Sequence, residues 1–280
     1  MKRTMAILVL MTVNAHAGIK LRLYNMGAFE NGALVFLAAD TVNIRSAPVI
    51  GNNIIDNLPV GYQVRIEKKS DSAYIVDGLK APWYLVSYDS TRGPIKGYVW
   101  GGFLSIVALP VQYQGNPALI LFTIKSAKNS GAIPVHAMIA SGGKVAATAV
   151  FDAIGILSED RSFGYSVSAE IHGPRGFSGI SNILTLEFSY GACGYPFGAI
   201  VLMYNGSDIM YGSTAISTVE SGVFHSLSKF IYPDEKGGIQ NGLVLVQTLE
   251  NFDDGKKSYA LKETKKTALS WTGNKFIEVK

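Results

Sequence analysis

The chain has 280 residues but only one cysteine, Cys193, and four histidines. A lone cysteine excludes an intrachain disulfide and any metal site built on cysteine. His16, His136, His172 and His225 show no HxxxH or CxxC spacing, so neither a zinc set nor another cofactor is expected. Charge is sparse, at 16% of residues, and no long stretch repeats with helical period. Long apolar runs are missing too. The first, TMAILVLMTVN, spans about eleven residues where a bilayer crossing needs roughly 20.

That short run follows the basic Lys2-Arg3 and ends at Ala15-His16-Ala17, a small-x-small cleavage site. Residues 1–17 therefore read as a signal peptide, with an exported chain, periplasmic or secreted, starting near Gly18. No integral membrane span is expected in that mature chain. Removing Lys2 and Arg3 from the 25 basic residues leaves 23 against 21 acidic ones, a balance of +2. A nucleic-acid binder would concentrate positive charge, and none is expected as a partner. The basic cluster of Lys256, Lys257, Lys262, Lys265 and Lys266 is broken by Glu263 and follows Asp253-Asp254, as on a solvated face.

What the chain does hold is 30 glycines, 14 tyrosines and 13 phenylalanines, with turn signals every 8–12 residues or so. This composition predicts an all-β protein: a small barrel followed by a larger antiparallel β-domain, propeller-like or a barrel or sandwich. Residues 18–39 read as an N-terminal hairpin segment, with IKLRLYN (19–25) alternating and a turn at Asn31-Gly32. Residues 40–106 divide into about five short strands, the size of a closed barrel. Pro110, Gly115 and Pro117 mark a junction, and residues 111–280 form the C-terminal β-domain.

Four segments of the small barrel occur in a telling order: VNIRSAP, LPVGYQV, WYLV and GYVWGGFLS. This order resembles a bacterial SH3 domain over about a quarter of the chain. The segment KKSDSAYIVDGLKAP before Trp83 departs from the pattern and implies an extended loop; Ala47 stands where the family often has glycine. The resemblance implies binding of an extended peptide in a shallow aromatic groove. The candidate ligand-binding residues are Arg45, Tyr62, Trp83, Tyr98 and Trp100, with Arg45 or Arg92 meeting a carboxylate. For the aromatics, packing inside or at the rim of the barrel stands as the competing reading.

Bacterial SH3 domains often accompany cell-wall hydrolases, so catalytic sets were sought. In GAIVLMYNGSDIMYGS, Ala199 and Tyr211 occupy the places a Cys-His peptidase would give to histidines. Cys193, in YGACGYPFG, reads as a small buried residue in a turn. No GxSxG occurs around Ser178 or elsewhere. His136 and His225 alternate with apolar neighbours, as satisfied sheet histidines would, and His172 lies near Glu170 and Arg175. Glu170, Glu187 and Glu220 fall in or near strands, but sequence cannot pair them. The loop HGPRGFSG has no acid for calcium. IVLMYNGSDIMYG and TALSWTGNKFIEV faintly resemble propeller-blade hairpins.

The chain reads as a non-catalytic binding protein whose partner is a peptidoglycan stem peptide or a protein. The alternatives are a periplasmic inhibitor or immunity protein, presenting HGPRGFSG or SYGACGYPFG, and a cell-wall hydrolase with an unrecognised active site.

Overall fold

Turns at glycine, asparagine and aspartate cut the chain into strands, and the computed structural model describes residues 29–91, 93–124, 133–155 and 164–279. The signal peptide, the strand 19–25 and Arg92 lie outside these. No α-helix occurs among the described residues, and so none is long and apolar enough to cross a membrane.

The first sheet contains β1 (Leu34–Phe36), β2 (Thr41–Arg45), β3 (Ile54–Pro59), β4 (Gln63–Val76), β5 (Leu79–Ser90) and β6 (Gly93–Trp100), in the order β1-β4-β5-β6-β2-β3. Its inward side chains alternate along each strand. Val35, Val42, Ile44, Leu58, Val64, Ile66, Tyr84, Val86 and Val99 form one buried cluster. Gly97 lets β2 close on β6: a Cβ there would stand 2.4 Å from Ile44 Cγ2 and 3.0 Å from the Arg45 carbonyl. A 3-10 turn, Gly101–Phe103, then brings the chain back to β1, where Ala38 N–H donates to the Phe103 carbonyl (2.8 Å) and Leu37 bridges Leu104. The barrel therefore starts before residue 40, and β1 is part of it rather than of a separate preceding hairpin.

The segment expected as an extended loop, KKSDSAYIVDGLKAP, is instead a hairpin. β4 and β5 run past the barrel and turn at Asp77-Gly78, with φ of 49° and 85°. Two successive residues at positive φ match the right-handed twist of the strands they join.

β7 (Val107–Tyr113), β8 (Asn116–Ile124), β9 (Pro134–Ser141) and β10 (Lys144–Asp152) form a second sheet, a four-stranded meander. The expected junction around Pro110, Gly115 and Pro117 is thus the β7–β8 hairpin, its turn at Gln114-Gly115. β8 reads ALILFTI, apolar without alternation, because both of its faces are buried. Ile120, Phe122 and Ile124 face one cluster; Leu121 faces another containing Ala38 and Val60 of the barrel.

β11 (Ser166–His172), β12 (Asn182–Ser189), β13 (Phe197–Tyr204), β14 (Ile209–Glu220), β15 (Phe224–Ile231), β16 (Gly242–Asp253), β17 (Ser258–Trp271) and β18 (Phe276–Val279) pair in chain order into one eight-stranded sheet. The two blade-like segments are its β13–β14 and β17–β18 hairpins, so they belong to one continuous sheet and not to propeller blades. The sheet curls. β12 and β13 place Leu184, Leu186, Ile200 and Leu202 against the four-stranded sheet, and Ile183, Val201 and Met203 against Leu243 and Trp271 of β16 and β17.

Candidate binding site

The barrel carries an exposed aliphatic rim, and Arg45 holds its loop in place. Only 8% exposed, this arginine ends β2 and turns under the following loop. Its Nη1 donates to the Gly51 carbonyl (2.6 Å) and to Asn53 Oδ1 (3.0 Å). Asn53 Nδ2 in turn donates to the Ala47 carbonyl (3.0 Å), and Ser46 N–H donates to the Asn53 carbonyl (2.9 Å). Through Nη1 the guanidinium fixes the backbone of the loop, so Arg45, expected at the ligand site, stands in the structure as a loop clamp.

The clamped loop carries Val49 and Ile50, and the strand that follows it, β3, carries Ile54 and Ile55. All four are between 45% and 55% exposed. β3 is also an edge strand of its sheet, the position at which an extended peptide can add a strand. Isolated exposed aliphatics are ordinary, but four exposed within seven residues of one loop and edge strand are a concentration of apolar surface. The sequence reading passed over them. The signal was there in PVIGNNII, four aliphatics set among the glycine and asparagines of a loop, with no alternation to explain them as core.

The aromatic candidates divide. The Tyr62 hydroxyl donates to the Asp89 carbonyl, and its ring meets Tyr88 edge-on at 6.0 Å. Tyr88 O–H donates to Asp56 Oδ2 (3.0 Å); burial first, then this carboxylate, push its pKa up. Trp83 and Trp100 oppose each other on β5 and β6 but point out of the barrel into the main cluster shared with the other two sheets, 2% and 5% exposed. Tyr98 packs on the same cluster. The Trp100 indole N–H donates to the Tyr74 and Ala81 carbonyls (3.0 and 3.1 Å), which ties the β4–β5 hairpin to the body. The aromatic face expected as a groove is thus occupied by the protein's own second half, and neither tryptophan is open to a ligand.

Residues 40–105 match the bacterial SH3 domain. No match to the chain was found among curated proteins or solved structures. The SH3 domain covers the barrel from the approach to β2 to the end of the 3-10 turn, leaving β1 and the remaining sheets outside it.

Beyond the SH3 domain, polar side chains cluster around Arg175 and His172, whose charges reach one another, and around His225. Arg175 lies 3.8 Å over the Tyr232 ring, with Nη2 at 2.8 Å from Glu235 Oε1 and 3.1 Å from Asp234 Oδ1. This clamps the HGPRGFSG loop to the β15–β16 connection. His172 Nε2 stands 3.4 Å from Glu170; burial lowers its pKa, and Glu170 opposes that only in part. Glu170 and Glu187 share one face of β11 and β12, where Glu187 accepts from Ser168 Oγ (3.2 Å). His225 stacks on Tyr259 at 3.6 Å and contacts Glu250 at 3.2 Å.

Cys193 is exposed, contrary to the expected buried turn residue. Its loop is the β12–β13 connection, where the Tyr190 and Tyr195 rings lie 4.2 Å apart, tilted by 30°. No group of three or more His, Cys, Asp or Glu side chains among the described residues is placed to hold a metal.

Proposed function

We propose that this is an exported, non-catalytic binding protein whose SH3 domain recognises an extended peptide, with a peptidoglycan stem peptide as the leading partner and a protein segment as the other. The observation that carries the reading is the apolar rim of Val49, Ile50, Ile54 and Ile55 on an edge strand, held in shape by a buried arginine. A peptide adding to β3 would gain main-chain hydrogen bonds along the edge and bury aliphatic surface at about 25 cal/mol per Å². The bacterial SH3 family match supports a binding role for the domain.

The test is retention of the chain from residue 18 onward on purified peptidoglycan sacculi, beside an Ile50→Lys/Ile54→Lys variant. Retention lost in the variant, with an unchanged unfolding midpoint, supports wall binding through the rim. Equal retention of both moves the site elsewhere, and no retention of either removes the wall as partner.

A second reading, an inhibitor of a hydrolase, is favoured by the exposed loop around Cys193 and its paired tyrosines. A stable complex with a hydrolase, lost in Tyr190→Ala, would select it.

A further inference from the structure

A shallow, open pocket of about 500 Å³ lies where three turns meet. Gln112 and Gln114 come from the β7–β8 hairpin, Ser181 and Asn182 from the entry to β12, and Asn205 and Ser207 from the β13–β14 turn. The three walls are stapled together by the chain itself. Tyr204 O–H donates to the Gln112 carbonyl (2.6 Å), Gln114 N–H to the Gly206 carbonyl (3.1 Å), and Ser181 N–H to the Tyr204 carbonyl (2.8 Å). Such a site is already shaped before anything enters it, which lowers the cost of binding.

Its lining side chains are amides and hydroxyls beside two glycines, with no charged side chain among them. Asn182 Nδ2 is spent on the His172 carbonyl (3.1 Å), and Asn205 Oδ1 accepts from the N–H groups of Ser207 and Asp208 (2.9 and 2.7 Å). The Gln112 amide and the hydroxyls of Ser181 and Ser207 engage no partner among the described residues. An anion would find no cation here, a cation no carboxylate, and an apolar group would strip water from amides without replacing their hydrogen bonds. A neutral molecule dense in hydroxyls fits, because each amide offers a donor beside an acceptor and each serine offers both. Gly115 and Gly206, at φ of 79° and 98°, leave the pocket's edge without side chains, so a ring can approach the backbone.

We infer that this pocket is a binding site for a neutral saccharide, formed where the second and third sheets meet and independent of what the SH3 domain binds. The full-length protein, isotopically labelled, is titrated with three trisaccharides: triacetylchitotriose, maltotriose and the anionic trigalacturonate. The expected result is saturable shifts centred on Gln112, Ser181 and Ser207 with one or both neutral sugars. Which of the two binds tells an acetamido-sugar site from a plain hydroxyl site. Gln112→Ala/Ser207→Ala, whose side chains hold nothing else in place, weakens binding about tenfold with no change in unfolding midpoint. The inference is overturned if neither neutral sugar binds, if trigalacturonate binds as well as they do, or if the double variant binds unchanged.

Discussion

Arg45 shows how one side chain can be legible as important before its contacts are known. Its place in VNIRSAP marked it as functional, yet its guanidinium lies under its own loop, bound to Gly51 and Asn53. Buried polar groups that lose a partner cost about 1–3 kcal/mol each, so Arg45→Ala is expected to destabilise the chain by at least that much. Urea denaturation measures it, and proteolysis within residues 46–53 should rise in step. Tyr84 carries a second prediction at this scale. Buried in the barrel against Phe29, it has its hydroxyl pKa pushed up to about 12 by burial. Above the unfolded value of 10, the unfolded chain gives up this proton first, so stability falls as pH rises from there towards 12. Below pH 10 the group contributes no slope. Tyr84→Phe should flatten this alkaline loss, read from urea midpoints at about pH 9 and about pH 11.

The β4–β5 hairpin is the element that sequence pattern concealed. Its β4 arm, KKSDSAYIV, is exposed along most of its length and shows no alternation, whereas its β5 arm buries Leu79 and Ala81 in the main cluster. The expected loop rested on the segment's departure from the SH3 pattern, which gives the length of an insertion and not its conformation. The turn chemistry was nevertheless present, since Asp77-Gly78 is the dipeptide that a two-residue hairpin turn requires. Gly78→Val should cost about 1–2 kcal/mol, the penalty of a side chain in the left-handed region, with Gly78→Asn costing less. Both are measured as shifts in denaturant midpoint. The apolar runs of β8 and β13 fail to alternate for the opposite reason: they are buried on both faces, one by each neighbouring layer. Their existence as strands was legible, but their neighbours were not, because period says nothing about what packs on each side.

At the scale of the whole molecule, the SH3 domain and the β-sheets after it share a core. Trp83 and Trp100 leave the barrel to join Ile120, Phe122, Leu184 and Tyr204 in one cluster. This explains why the barrel's order of motifs was readable and its binding face was not: the sequence of a barrel strand gives an outward tryptophan the same look whether solvent, a ligand or another sheet covers it. Cutting the chain near residue 106 would expose both indoles. Trp83→Ala is expected to cost about 3–5 kcal/mol and to destabilise β8 together with β6, visible as faster hydrogen exchange in both. Loss of protection in β6 alone would mean two independently stable bodies.

The central claim is that the SH3 domain binds through its aliphatic rim while its tryptophans serve the fold. Residue-resolved hydrogen exchange of the full-length protein, with and without soluble peptidoglycan fragments bearing their stem peptides, tests it most directly. The account predicts new protection over residues 46–58, on the rim and β3, with exchange around Trp83 and Trp100 unchanged. Protection centred on residues 83–85 and 98–100, or none within the barrel at all, would contradict it.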